Sequence, residues 1–417
     1  MKKMRIVSAL CAAVLLLASC ASEKPEEKPE TVTGGAGRDP SSTEAAAQTE
    51  KPSGPVRLTF AAAGDNIVHE SIYLEAAEKA SAMASTDGYT GQYYFDSMYG
   101  DDVRKIISEA DISFVNQEGP ISGEDASGYP NFNAPAEAGD ALVDLGFDIV
   151  NVANNHMLDM EHRTTGYKNT VEYWKTKDVL MVGGYENETD YETLRFIERD
   201  GVKIAVLSFT YGTNGYSVNK NSTCVVPLID DDTITSRIAE AKKEADLVFV
   251  SMHWGDENVT AVNSEQLRLA KLIADAGADV VIGHHTHTIQ PVEWVTGEKG
   301  NKTLVIYSLG NFISTQIKAV NLVGLIVTFD IVKDEGMGAY VENPVVIPTV
   351  TDYASDVTEL DSQSLAKRYD VTVSLLENYS SVRAWDHGVN VWDAFDFNYL
   401  KQMVESVIDA KFLKPWN

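Results

Sequence analysis

The stretch "SEQLRLAKLIADAGADVVIGHHTH", Ser264 to His287, decides the fold class. It reads as an amphipathic helix, then a short buried strand, then a polar tip. That tip places His284, His285 and His287, three of the chain's eight histidines, within four residues. The same rhythm recurs upstream. "TSRIAEAKKEADLVFVSMHWGDE" and "AGDALVDLGFDIVNVANNH" each run helix, apolar strand, polar tip. "VRLTFAAAGD" and "ADISFVNQEG" are apolar strands closing on polar residues, and a helix is predicted from about Glu70 to Ala84. "GVKIAVLSFT" and "NKTLVIYSLGNF" are further strands, and "NLVGLIVTFDIV" with "AYVENPVVIPTV" reads as an antiparallel pair. Strands alternating with helices predict an α/β fold, and their uniformly apolar composition predicts partly parallel strands covered on both faces. In such folds functional groups gather at the carboxyl ends of the strands.

The tips carry one kind of chemistry. In order they are "GDNIVHE" (Asp65, His69), "NQEG" (Asn116, Glu118), "ANNH" (Asn154, Asn155, His156), "HWGDE" (His253, Asp256, Glu257), "GHHTH" (His284, His285, His287) and "SLGNF" (Ser308, Asn311). Only His162 and His387 fall elsewhere. One histidine at a strand end is most often a hydrogen-bonded structural residue. Four separate tips bearing histidine, with carboxylates at equivalent places, point instead to metal ligands. Imidazole and carboxylate together suit Zn, Mn, Fe or Ni. His285–Thr286–His287 at a strand end can aim two imidazoles into one site, and a bridging carboxylate makes it a two-metal site. Two divalent ions about 3.5–4 Å apart clamp both attacking and leaving oxygens of a displacement.

As an ordered set, "GD" at Gly64–Asp65, "NQE" at Asn116–Glu118, "ANNHMLD" at Ala153–Asp159, "HWGDE", "GHHTH" and "YSLGNF" at Tyr307–Phe312 resemble the CapA family, named for poly-γ-glutamate capsule synthesis. Its domain is similar to the calcineurin-like metallophosphoesterases. The resemblance implies a four-layer α/β/β/α sandwich with metals at the sheet edge. It implies Asp65 and His287 on one metal, Glu118 bridging, and Asn155, His253 and His285 on the second. It also implies that His156 donates a proton to the leaving group. Asn116, Asn154, Asn311 and Glu257 would orient ligands, and His284 would line the pocket or donate to a neighbour. Asp256 reads as solvated. The wider superfamily begins with Asp-x-His, whose His is a ligand. Here Ile67 stands at that place. His69, two residues on, substitutes only if the loop bends, and otherwise caps the following helix or lies on the surface.

The rest of the sequence sets the context. The 417 residues carry a formal net charge of −28, which repels nucleic acid and anionic lipid headgroups. No nucleic-acid partner is expected, and an anionic substrate needs a local positive centre such as a metal ion. "MKKMRIVSALCAAVLLLASC" has a basic start and a short apolar run, the pattern of a secretory signal. Its ending resembles the bacterial lipobox, which implies cleavage after residue 19 and lipid on Cys20. Residues 20–55 are rich in Pro, Glu, Ser, Thr and Gly and read as a disordered tether. Residues 56–350 form the expected CapA-like domain. Residues 351–417, acidic and aromatic, read as an appended helical subdomain or cap. Cys224 is a small buried hydrophobe without chemistry. The expected protein is a lipid-anchored extracytoplasmic one, with either of two functions. One is a metal-dependent hydrolase acting on a phosphoester or a γ-glutamyl amide. The other is a non-catalytic, metal-containing subunit that binds an anionic polymer beside membrane synthesis or export proteins.

Overall fold

The computed structural model describes residues 54–414. The signal segment, Cys20 and nearly all of the expected tether lie outside the described residues. The chain opens with β1 (Val56–Ile67) and α1 (Glu70–Thr86). It continues through α2 (Asp101–Glu109), β2 (Ile112–Glu118), α3 (Ala136–Leu145), β3 (Ile149–Asn151), α4 (Arg163–Lys175) and β4 (Leu180–Val182). A short α5 (Glu188–Glu192) leads to β5 (Phe196–Arg199), β6 (Val202–Thr210), α6 (Asp231–Ala241), β7 (Leu247–His253), α7 (Ser264–Ala276) and β8 (Val280–His284). Then come β9 (Val292–Thr296), β10 (Lys302–Ile306), β11 (Asn311–Ile313), β12 (Val323–Asp334), β13 (Gly338–Leu360) and β14 (Ala366–Leu375). Two helices, α8 (Ser381–Asp386) and α9 (Phe397–Val407), close the described part. None of the helices among the described residues is long and apolar enough to cross a membrane.

The strands form two sheets. One has the order β14-β13-β12-β1-β2-β3-β4, with the short β11 also paired to β1, and the other β5-β6-β7-β8-β10-β9. β1 to β4 are parallel, as are β6, β7, β8 and β10. The expected pair after Asn321 is β12 and β13, and it is antiparallel. The two sheets pack face to face. The Phe60 ring of β1 stacks on Phe329 of β12 at 4.8 Å and meets Phe249 of β7 edge-on at 5.2 Å.

The layering explains the apolar strands. In β7, Leu247 and Phe249 enter the core between the sheets, while Val248, Val250 and Met252 pack under α6 and α7. Both faces are therefore covered, and strict alternation with polar residues is lost. On the far side, Val103 and Ile107 of α2, Leu142 of α3 and Trp174 of α4 cover the first sheet. The α/β/β/α order is as expected. The helices have local causes too. Asn263 and Gln266 form a reciprocal capping box at the start of α7, and Gly277 ends that helix at φ +104°.

The C-terminal segment corrects the expected helical appendage in part, as strand up to Leu375 and helical turns beyond it. β13 runs without a break through position 350, and β14 extends the first sheet as its edge strand. Residues such as Val371, Val373 and Leu375 alternate with polar neighbours, which is a strand period that the acidic composition masks. Among the described residues there, only α8, α9 and short single turns are helical. α9 places Leu400 and Val404 in the shared core.

Candidate metal centre

The carboxyl ends of β1, β2, β3, β7 and β8 meet at one edge, and two glycines let the backbones close on each other there. A Cβ at Gly64 would stand 1.9 Å from the Gly310 carbonyl oxygen, and one at Gly283 would stand 2.0 Å from that of Tyr307. Each glycine directly precedes a site residue, Asp65 or His284. Beyond β8 the chain turns through two left-handed histidines, His285 at φ +98° and His287 at φ +57°. Non-glycine residues hold such backbone only against strain. The turn breaks strand alternation and brings both rings to the same edge.

Asp65, Glu118 and His287 form one cluster of converging ligand atoms. Asp65 Oδ2 lies 3.4 Å from His287 Nδ1, and Glu118 Oε1 lies 3.7 Å from His287 Nε2. Asn116 donates to Asp65 Oδ1 at 2.8 Å and approaches Glu118 Oε2 at 3.5 Å, which fixes both carboxylates. Asn311 Oδ1 holds His287 Nδ1 at 3.1 Å. A second cluster joins Asp65, His253 and His284. Within it His253 Nδ1 faces His284 Nδ1 at 2.7 Å, and His253 Nε2 faces Asn155 Oδ1 at 2.7 Å. His285 lies beside His253, their ring centroids 4.6 Å apart, and under Tyr211 at 4.5 Å. Among the expected histidine and carboxylate ligands, His285 alone enters neither cluster.

His156 sits across from Glu118, its Nε2 3.9 Å from Glu118 Oε1. Its Nδ1 is tied to Asp159 Oδ2 at 2.6 Å. Asn154 accepts from the His156 backbone N–H at 3.1 Å and donates to the Gln117 carbonyl at 2.9 Å, so it shapes the loop and faces no ligand atom. Glu257 is exposed on the rim, near enough for its charge to act on Glu118. Asp256 is exposed and accepts from Asn263. His69 lies apart from both clusters. It occupies the position before α1, yet its side chain caps nothing. Its Nδ1 accepts from the Thr315 backbone N–H at 3.4 Å, and its ring packs on Phe132. Ile67 is buried and pairs in register with Glu118.

Four supporting residues went unassigned in the sequence. Asn151 ends β3 and donates to Asn116 Oδ1 at 2.7 Å while accepting from Ser208. Asp159 aims His156. Asn214, at φ +52°, places its amide nitrogen 3.3 Å from His156 Nδ1 and accepts from Asn155 at 3.2 Å. Tyr211 covers His285. Asp159 stands three residues after His156 in the quoted motif, and Tyr211 and Asn214 follow directly on β6, so the tip of β6 was the overlooked signal.

The electrostatics suit a cation. Burial pushes the Asp65 carboxyl up, but the hydrogen bond from His287 and the neighbouring imidazoles outweigh it and leave it below its usual range. Burial, with Asp65 beside it, drives Glu118 well above the usual carboxylate range. Burial lowers His284 to about 4 and His285 to about 3, and holds His253 well below its ordinary value. The rings are therefore neutral and hold lone pairs at neutral pH. Glu118 Oε1 and His285 Nδ1 are buried without any hydrogen-bond partner. Orphaned buried acceptors are rare and costly. Two of them, at the edge where Asp65, Glu118 and His287 form one cluster and Asp65, His253 and His284 the other, fit a bound divalent ion.

Comparisons with known proteins identify the family. The family model "Bacterial capsule synthesis protein PGA_cap" matches residues 59–316, more than half of the chain. The PGA biosynthesis protein CapA of Bacillus subtilis (strain 168) is 32% identical over 255 residues, 60% of this chain and 65% of that protein. The capsule biosynthesis protein CapA of Bacillus anthracis is 31% identical over 224 residues, 51% of this chain and 53% of that protein. The chain thus spans less than two thirds of the length of either. Among solved structures, a hypothetical protein from Thermus thermophilus aligns with TM-score 0.41 and 17% identity, covering 70% of this chain and 99% of that one. Haemophilus influenzae NAD nucleotidase aligns with TM-score 0.41 and 10% identity, over 87% and 58%. On the extent of the family match, the chain belongs to the bacterial capsule synthesis (PGA_cap, CapA) family.

Proposed function

We propose that the chain is a cell-surface lipoprotein serving poly-γ-glutamate capsule synthesis or export, with a metal-dependent hydrolytic site at its sheet edge. The single observation that carries the hydrolytic part is the pair of buried acceptors without partners, Glu118 Oε1 and His285 Nδ1, among neutral histidines. The Bacillus relatives named for capsule biosynthesis support the polymer. When bound, divalent ions polarise the scissile group and activate water. Asp65, Glu118, His253 and His287 would hold those ions, with Asn155 and His285 beside them. Asn116 and Asn311 keep the Asp65, Glu118 and His287 side chains from turning away. Asp159 accepts from His156 Nδ1, which leaves Nε2–H of the charged ring free to protonate a departing oxygen or nitrogen.

A second reading rests on one observation. Ile67 fills the place of a superfamily ligand, and His69 does not reach the clusters. With a weakened first site the pocket would bind polymer carboxylates without cleaving them. One experiment separates the two. The full chain, purified in detergent without chelators, is assayed for bound metal and then given a phosphodiester and a γ-linked glutamate oligomer. Metal-dependent product that disappears in His253→Ala supports the hydrolase. Metal with oligomer binding but no product supports the binding subunit. Absence of both metal and binding sinks both readings.

A further inference from the structure

His284 belongs geometrically to one of the two ligand clusters, yet its hydrogen bonds point to another role. We propose that His284 is not a metal ligand but the positioning residue that decides which nitrogen of His253 faces the ion. The proposal rests on reading the sheet edge as a metal centre, and it concerns which atoms do the holding.

Three hydrogen bonds run in line through the buried edge. Ser251 Oγ meets His284 Nε2 at 2.7 Å, His284 Nδ1 meets His253 Nδ1 at 2.7 Å, and His253 Nε2 meets Asn155 Oδ1 at 2.7 Å. A neutral imidazole has one N–H and one lone pair. With both rings neutral, the line admits two proton arrangements. In the first, His253 Nε2–H donates to Asn155 Oδ1, which can only accept. His253 Nδ1 must then accept from His284 Nδ1–H, and His284 Nε2 accepts from the Ser251 hydroxyl. This is the arrangement the metal-free protein adopts.

In the second, every direction reverses. His284 Nε2–H donates to Ser251 Oγ, His253 Nδ1–H donates to His284 Nδ1, and His253 Nε2 is left with a bare lone pair. The two rings carry two protons between them in either case, so the reversal leaves their charge unchanged. Only the second arrangement makes His253 Nε2 a ligand. That nitrogen faces Asn155 Oδ1, and the neighbouring ring is His285, whose Nδ1 is the buried acceptor without a partner. In both arrangements the two nitrogens of His284 are spent on Ser251 and His253, and neither is left for an ion. Ser251 is then the far anchor, although it touches no ligand atom except through His284. This is the role that outer partners of metal-bound imidazoles play, and losing one typically weakens binding 10- to 100-fold.

The test uses the full chain in detergent, ring-labelled with nitrogen-15 at histidine and loaded with cadmium-113, alongside zinc competition against a chelator of known affinity. The expected spectrum shows coupling between cadmium and His253 Nε2, a protonated His284 Nε2 and no coupling to His284. His284→Asn, whose amide oxygen can still accept from His253 Nδ1–H, should keep the wild-type number of ions with zinc affinity reduced less than about tenfold. Ser251→Ala should weaken zinc binding about tenfold at unchanged stoichiometry, with a changed His284 Nε2 signal. Coupling from cadmium to either nitrogen of His284, or to His253 Nδ1, overturns the proposal. So does loss of an ion from folded His284→Asn, or unchanged affinity in Ser251→Ala. A chain that binds neither cadmium nor zinc would instead remove the metal centre itself.

Discussion

At His156 only one edge of the ring is free, because Asp159 holds Nδ1 while Nε2 looks across to Glu118. If that nitrogen delivers the proton, His156→Gln should lower turnover of a substrate with a poor leaving group about 100-fold or more, with metal content unchanged. Substrates whose leaving group needs no proton should be far less affected. A uniform loss over both substrate types would mean that His156 positions rather than protonates. Asp159→Asn should fall in the same direction by a smaller factor, since the ring stays in place but its charged form is less favoured. These residues were only partly legible in the sequence. Histidines and carboxylates at strand ends announce themselves by type. Asp159 and Asn151 do not, because what they do depends on a neighbour that only folding supplies.

At the scale of an element, the strand ends depend on how closely the backbones pass. Gly283→Ala would force a methyl group to within 2.0 Å of the Tyr307 carbonyl oxygen, so β8 and β10 would have to part. The expected cost is about 3 kcal/mol, read as a drop in the denaturation midpoint together with loss of bound metal. A variant as stable as wild type would show that β10 can yield. Phe60→Ala, by contrast, removes a ring that both sheets touch, and should cost about 3–5 kcal/mol while leaving the ligand set intact. The helix–strand units were readable because their periods are strong and their tips polar. β14 escapes a sequence reading because its clear alternation is short, Val371 to Leu375, and lies in a segment that is acidic as a whole.

For the whole molecule, the buried histidines set how the metal-free chain responds to acid. In the unfolded chain their rings titrate near 6.5. Folded, His284 stays neutral down to about 4, and His69 and His285 down to about 3. Between those limits the unfolded state binds more protons, so the histidines make stability rise with pH, and their contribution levels off above about 6.5. Glu118 acts with the opposite sign, since its folded form holds its proton to higher pH, but it is one group against several. Denaturant midpoints of the metal-free chain between pH 4 and 8 check this, and a curve that falls through pH 5–6.5 would contradict it. Bound metal should add about 4 kcal/mol when its free concentration is a thousandfold above Kd, so a chelator should lower the melting temperature. At the other end of the chain, Cys20→Ala should move the protein from the membrane fraction into the medium. Retention on the membrane would end the lipoprotein reading.

The left-handed backbone at His285 and His287 also bears on descent. A histidine sits uneasily in that region, and glycine sits there freely. A lineage that still needs the ion must keep both imidazoles and bear the strain. One released from that need can change either position to glycine and lose that backbone strain. Relatives carrying glycine at those two positions should therefore be the ones that have given up the metal, so two codons of a genome sequence would tell working members from retired ones before any protein is made.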